Sequence, residues 1–197
     1  MGAILQSLQK TIIAGFVLLA VIVGLVALVS GTNIRMEHAW IAFVMRWFHV
    51  MFGVMWIGLL WYFNFVQMPS MPKIPDEQKP AISKVIAPAA LMWFRHAALW
   101  TVITGVTLAS MNGYIVQALT FQRPVLAIGI GMWLALVMAF NVWFIIWPNQ
   151  QKALGMVPVE ADVKAKAART AMLTSRLNTM LSIPMLFCMV AQQNGGL

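Results

Sequence analysis

Charge is the scarcest commodity in this chain. Only 9% of its 197 residues are charged, and only five are acidic. A soluble domain carries about 25% charged residues. The five acids are Glu37, Asp76, Glu77, Glu160 and Asp162, and all fall between apolar runs. No pair of carboxylates therefore sits where general acid and base catalysis would need it. Cysteine is scarcer still: Cys188 stands alone. One cysteine excludes an internal disulfide and a four-cysteine zinc or iron–sulfur site. No Cys-x-x-Cys-His occurs, so covalent c-type haem attachment and a cytochrome c domain are not expected. No glycine-rich phosphate cradle precedes a helix.

What is present is hydrocarbon. Residues of hydrophobic type make up 61% of the chain, and mean hydropathy is +0.83. Five apolar runs are each long enough to cross a bilayer, which takes about 20 residues. They lie near Thr11–Ser30, Trp40–Val66, Ile86–Met111, Val125–Trp147 and Ala168–Ala191. The predicted fold class is all-α: one integral membrane helical bundle of about five spans covering residues 1–197. The first run is longer than the usual signal-peptide core, and Gly31-Thr32-Asn33 offers no small-x-small cleavage site, so it reads as a retained signal-anchor.

Net charge is +8. In a soluble protein this would point to nucleic acid. Here the basic residues gather in connections, where they report topology, and no nucleic-acid partner is expected. Lys10, Lys73, Lys79, Lys84, Lys152, Lys164, Lys166 and Arg169 share one side; Arg35 and Arg123 lie on the other, with Arg46 just inside its edge. This bias places the N-terminus in the cytoplasm, and the expected location is the cytoplasmic (inner) membrane of a bacterium. Met68–Pro88 holds five of the nine prolines and is expected to be irregular, with a short surface helix around Pro80–Val85. The charged segment Pro158–Arg169 is expected to extend the fifth span into the cytoplasm.

Two histidines fall within spans: His49 in Arg46-Trp47-Phe48-His49 and His96 in Trp93-Phe94-Arg95-His96. Ionisable groups at membrane depth are costly and suggest function. Imidazoles on neighbouring helices suggest axial ligands for a buried haem. In the second span His49, Gly53, Trp56, Leu60, Phe63 and Gln67 recur every three or four residues and share a face. Gly53 leaves room for a flat macrocycle, and Arg46, one turn before His49, could pair with a propionate. In the third span His96, Trp100, Ile103 and Thr107 share a face, with Thr104 and Gly105 as small neighbours. Arg95 is turned about 100° from His96 and would serve a propionate or a lipid phosphate. Arg176, inside the fifth span, needs an anion or a water path: a propionate, a quinone head-group or a loop carboxylate.

Depth complicates a shared iron. At 1.5 Å per residue, His49 lies about 18 Å from the outer end of its span and His96 about 24 Å from the outer end of its own. Counted from the inner ends, the values are about 27 and 18 Å. Both counts put His49 nearer the outside by roughly 6–9 Å, which only helix tilt would absorb. One bis-histidine haem, one histidine with a methionine, one histidine with an open position, and two haems all remain open. A histidine in a span can also merely hydrogen-bond a neighbouring helix. Asn141 is expected to do that, and Asn64 and Gln67 either line an inner pocket or cap the interface. Pro184 is expected to kink the fifth span.

Several segments resemble a known family. Arg46-Trp47-Phe48-His49-Val50, Trp56-Ile57-Gly58 and Tyr62-Phe63 are similar to a span of the urate oxidase N-terminal domain, the membrane part of urate hydroxylases. Trp147-Pro148-Asn149-Gln150, Asn178 and Leu181-Ser182-Ile183-Pro184-Met185-Leu186-Phe187 resemble later segments of it. The resemblance runs in patches from Met45 to Gln193. The Trp-Ile-Gly span is also similar to membrane haem proteins of the protoporphyrinogen oxidase and copper-resistance types. The chain is short for the family, and Leu177 stands where the family tends to show a histidine.

The leading expectation is a b-type haem membrane protein in electron transfer, linked to quinol or cytochrome c, with His49 and His96 on iron. Gly53, Trp56 and Trp100 would pack the macrocycle, with Arg46, Arg95 and Arg176 toward its anionic groups. The resemblance implies a second expectation, a urate hydroxylase-like oxidase that passes electrons to a cytochrome c. The third is a haem-free subunit of a larger respiratory or photosynthetic complex.

Overall fold

A computed structural model of the chain describes residues 2–196, and among them every regular element is helical. The chain forms two compact units that divide between Ile41 and Ala42. The first holds a single-turn helix α1 (Gly2–Leu5) and a long helix α2 (Leu8–Ser30). No residue of α2 is buried, although its apolar run is the strongest in the chain. A helix this apolar with no buried residue needs lipid as its solvent. It ends on Gly31, whose φ of 65° supplies the left-handed cap that returns an N–H to the Ala27 carbonyl.

The second unit contains four further helices of spanning length. They are α3 (His38–Lys73, beginning in the first unit's last residues), α4 (Lys79–Met111), α6 (Leu126–Ala153) and α7 (Ala161–Asn194). A short helix α5 (Ile115–Leu119) joins α4 to α6. Together with α2 this makes five candidate spans, a multi-pass membrane protein.

Neighbours within the second unit run antiparallel, as hydrogen bonds at matched depths show. Trp143 Nε1 of α6 donates to the Arg95 carbonyl of α4 at 3.1 Å. Asn141 Nδ2 of α6 donates to Asn178 Oδ1 of α7 at 2.8 Å, and Asn178 Nδ2 donates to the Met138 carbonyl at 2.9 Å. Trp61 Nε1 of α3 donates to Ser182 Oγ at 3.0 Å, and Asn64 Nδ2 donates to Ser175 Oγ at 2.8 Å, both on α7. One face of α7, Ser175–Asn178–Ser182, therefore stitches the bundle. In hydrocarbon such polar pairs hold helices together because water offers no substitute. Around them Trp56, Leu60, Phe94, Met138 and Val142 form the apolar core.

The proline-rich connection is more ordered than its composition suggests. Helical turns continue through Met68–Ser70 and Met71–Lys73 and resume at Lys79, so Met68–Pro88 is not the irregular loop expected. Pro80 sits in the first turn of α4, where a missing N–H costs nothing. Pro69, Pro72 and Pro88 are carried within the continuous helices α3 and α4. The expected surface helix at Pro80–Val85 is the first stretch of α4 itself. The charged segment does extend the last span, since α7 starts at Ala161 and runs unbroken through Pro184.

Three π-helical stretches interrupt the α pattern: Tyr62–Gln67 in α3, Ile82–Ile86 in α4 and Asn141–Ile146 in α6. All three lie in the Lys-rich half of their helices. Such turns carry one extra residue and often accompany function.

Candidate functional site

At the end of the bundle away from the lysines, α3, α4, α6 and α7 surround a cavity of about 570 Å³. That is the size range of small-molecule and cofactor sites, roughly 300–1,000 Å³. Most of the wall is apolar: Val50, Ile57, Val102, Ile128, Met132 and Leu136 among others. The ionisable side chains that line it are Arg46, His49 and Tyr114.

The period of α3 builds the site. Arg46, His49, Gly53 and Trp56 follow one another at three- and four-residue steps and all line the cavity. His49 reaches across to α4. Its Nδ1 lies 3.0 Å from the Thr101 carbonyl and 3.2 Å from Thr104 Oγ1. A carbonyl only accepts, so Nδ1 carries the proton. In the neutral ring Nε2 then bears the free lone pair, and no protein partner takes it among the described residues. An imidazole pinned through Nδ1–H to a backbone carbonyl is the usual arrangement of a metal-ligating histidine.

The ring rests on Gly105. A β-carbon there would stand 2.8 Å from His49 Cε1 and 3.2 Å from Nδ1. Gly53, where the α3 pattern leaves room for a macrocycle, lines the cavity, and a β-carbon there would meet only Thr101 Cγ2, at 4.0 Å. The glycine that backs the imidazole is on the opposite helix, and only the pairing of α3 with α4 reveals it.

Two polar atoms in the lining lack partners. Arg46 Nε and Trp56 Nε1 are buried with no hydrogen bond. An orphaned buried donor costs about 1–3 kcal/mol. At the cavity mouth Tyr114 faces Arg46: burial pushes its hydroxyl above the ordinary tyrosine value, and the nearby guanidinium partly offsets this. Gln193 and Asn194 of α7 complete the mouth. Tyr114, Thr101 and Gln193 carried no signal in sequence, because each lies outside the period of the histidine faces.

His96 is elsewhere. Its Nδ1 bonds the Met92 carbonyl of its own helix at 2.8 Å, and its ring meets Trp143 edge-on at 5.8 Å. It does not line the cavity. His49 meets α4 at Thr101–Gly105, five to nine residues past His96, or about 8–14 Å along the axis. The depth difference counted from sequence is not absorbed by tilt. Arg95, Trp100 and Arg176 are likewise away from the cavity. The Arg95 guanidinium stacks 3.8 Å over Trp147, Trp100 stacks with Phe52 at 6.0 Å, and Arg176 is exposed. Among the described residues no three His, Cys, Asp or Glu side chains gather as a metal cluster would.

Residues 111–195 match the family model described as Urate oxidase N-terminal. The matched stretch includes Trp147-Pro148-Asn149-Gln150 and the segment around Pro184, two of the patches that carry the sequence resemblance. It stops short of the His49 segment and contains no histidine. Neither the curated proteins nor the solved structures contain a match. The family-like stretch thus supplies the α6 and α7 walls and the Tyr114 mouth, while the preceding helices supply the imidazole.

Proposed function

We propose that this chain is the membrane-embedded redox part of a urate hydroxylase-like oxidase, and that its cavity holds a haem on His49. The observation that carries the reading is His49 itself: Nδ1–H tied to the Thr101 carbonyl, Nε2 free, and the ring in the cavity wall. The fit of the other residues supports it. Gly105 leaves room for the imidazole, and Arg46 puts a guanidinium in the cavity lining, suited to a propionate. When bound, haem would supply one-electron redox chemistry; the protein supplies ligation, burial and exclusion of water.

His96 does not line the cavity, so His49 would hold the haem without it; Met132, Met185 and Met189 line the wall, and their thioethers would be further candidates to hold the iron.

A second reading is electron transfer alone, from quinol to an acceptor outside the membrane, with a b-type haem and no urate chemistry. The apolar lining favours it, because urate is polar and the wall offers few groups to bind it. Purified protein decides between these. A reducible Soret band that vanishes in His49→Ala supports the haem site. Urate-dependent reduction of that band favours the oxidase, and quinol-dependent reduction without a urate effect favours the second reading. Protein without any Soret band leaves a haem-free packing subunit.

A further inference from the structure

Three seams between the helices around the cavity are packed shut. Between α3 and α4 the His49 ring sits against Gly105, and Phe52 stacks on Trp100. Between α4 and α6 lies a buried apolar cluster of Ala109, Ala118, Ile128 and Met132. Between α6 and α7 a β-carbon at Gly131 would stand 3.2 Å from Cys188 Cβ, and the Ile128 N–H donates to Gln192 Oε1 at 3.2 Å. The seam between α3 and α7 differs. Trp61–Ser182 and Asn64–Ser175 tie it at the deep end. Toward the mouth, both of its lips line the cavity and yet stay exposed. Val50 and Val54 on α3 are 54% and 69% exposed, and Val190 on α7 is 61% exposed. Spanning helices show such side chains to hydrocarbon, so the cavity has a slot on its bilayer flank.

The mouth end of the slot holds a cation. Arg46 is half-buried and lines the cavity with Tyr114, Gln193 and Asn194. Among the described residues no Asp or Glu lines the cavity, and none pairs with Arg46. A cation at the edge of hydrocarbon favours an anion beside it. We infer that the cavity takes an amphiphile with an acidic head and an apolar body, which enters sideways from the bilayer between α3 and α7 and stops with its head at Arg46. Charge sets the head, because a neutral group leaves the guanidinium uncompensated. The wall sets the body, because Ile57, Met132, Leu136 and Leu186 offer a polar ligand no partners. The lining on α3 runs from Arg46 to Trp61, about 22 Å of helix, which gives room for a long chain or a macrocycle on edge. Two sources share this chemistry: haem, whose acids are its propionates, and a fatty acid of the bilayer. The inference goes beyond ligation by His49, since slot and cation act alike on either molecule.

The test begins with the native full chain. Extracts are assayed for haem by pyridine haemochrome and for fatty acid by mass spectrometry, which separates the two sources. Protein in lipid nanodiscs is then loaded with dansylaminoundecanoate, and dansyl emission follows its uptake, with haemin and oleate as competitors. The expected result is saturable uptake that the methyl ester of the probe does not reproduce. Arg46→Gln should bind the acid about tenfold more weakly. Val54→Phe and Val190→Phe crowd the slot and should slow loading severalfold. Val137→Phe, the same change on an exposed part of α6 away from the cavity, should not. Equal binding of acid and ester, or loading in the slot variants as fast as in Val137→Phe, overturns the inference, while a Soret band in the same protein keeps His49 ligation. Bound fatty acid without haem ends the haem reading and supports the inference. Protein that holds neither acid and takes up no probe overturns both. Val54 and Val190 are exposed, so their variants leave the core alone, and the comparison of acid with ester needs no variant.

Discussion

Gly105 packs so close to the His49 imidazole that the smallest side chain would collide with the ring, 2.8 Å from Cε1. Gly105→Ala is therefore a specific probe. It should help the helix in isolation, since alanine is favoured over glycine by about 0.8–1 kcal/mol. It should also push the imidazole from its place. The expected outcome is a chain that unfolds no more readily, yet has lost or shifted its Soret absorption. Thermal unfolding and visible spectra on the same sample check this.

Among the described residues, Arg46 is the one Lys or Arg that lines the cavity, and Arg46→Gln removes it. Charge-assisted hydrogen bonds contribute roughly 1.5–3 kcal/mol, so retention of a propionate-bearing ring should weaken by about tenfold or more. Competition for the bound ring by apomyoglobin measures it. Equal transfer rates in variant and native protein would place the anionic edge away from Arg46.

Tyr114 adds a pH dependence. Its folded pKa is raised by burial above the unfolded value near 10. The folded state then holds the proton more tightly, so stability is fully present below the unfolded pKa and falls as pH rises toward the folded one. Arg46 opposes the shift, so Arg46→Gln should move the tyrosinate titration further up. The chain has two tyrosines. Ultraviolet titration of Tyr62→Phe isolates Tyr114.

The Asn141–Asn178 pair should hold α6 to α7. Asn178 is fully buried and satisfied twice, by Asn141 and by the Met138 carbonyl. Alanine at either position should destabilise the bundle. A double-mutant cycle in detergent unfolding should return a coupling of about 0.6 kcal/mol, up to about 1.7. Zero coupling would mean that the amides find other partners.

Topology can be read with one thiol at a time, because the only native cysteine, Cys188, is buried. Cysteine introduced at Lys73 or Lys164 should react with an impermeant maleimide only in inverted vesicles. Cysteine introduced at Arg123 should react only in right-side-out ones. The reverse pattern would contradict the orientation drawn from the lysines.

The spans were legible because hydrocarbon thickness imposes a length that composition reveals directly. The α3 face of Arg46, His49, Gly53 and Trp56 was legible for the same kind of reason, since a 3.6-residue period puts those side chains together. What crosses between helices was not. Which glycine backs the imidazole, which carbonyl fixes its tautomer and which tyrosine closes the mouth all depend on how α3 meets α4. No local pattern encodes that register. The prolines misled because their count suggested an irregular connection, whereas α3 runs on through Pro69 and Pro72 and α4 through Pro88.

The three π-helical stretches set how this protein can tolerate change in length. Each holds one residue more than an α-turn, and each helix residue turns the chain by about 100°. Deleting a single residue within Tyr62–Gln67 would let α3 relax into a regular helix. The turns on either side would keep their phase, because a π-turn spreads its extra residue over about the rotation of an α-turn. Only side chains inside the stretch, Asn64 among them, would be re-aimed, so the Asn64–Ser175 bond is the one at risk. A surplus residue is thus absorbed locally, and the helix beyond it stays in register with its neighbours.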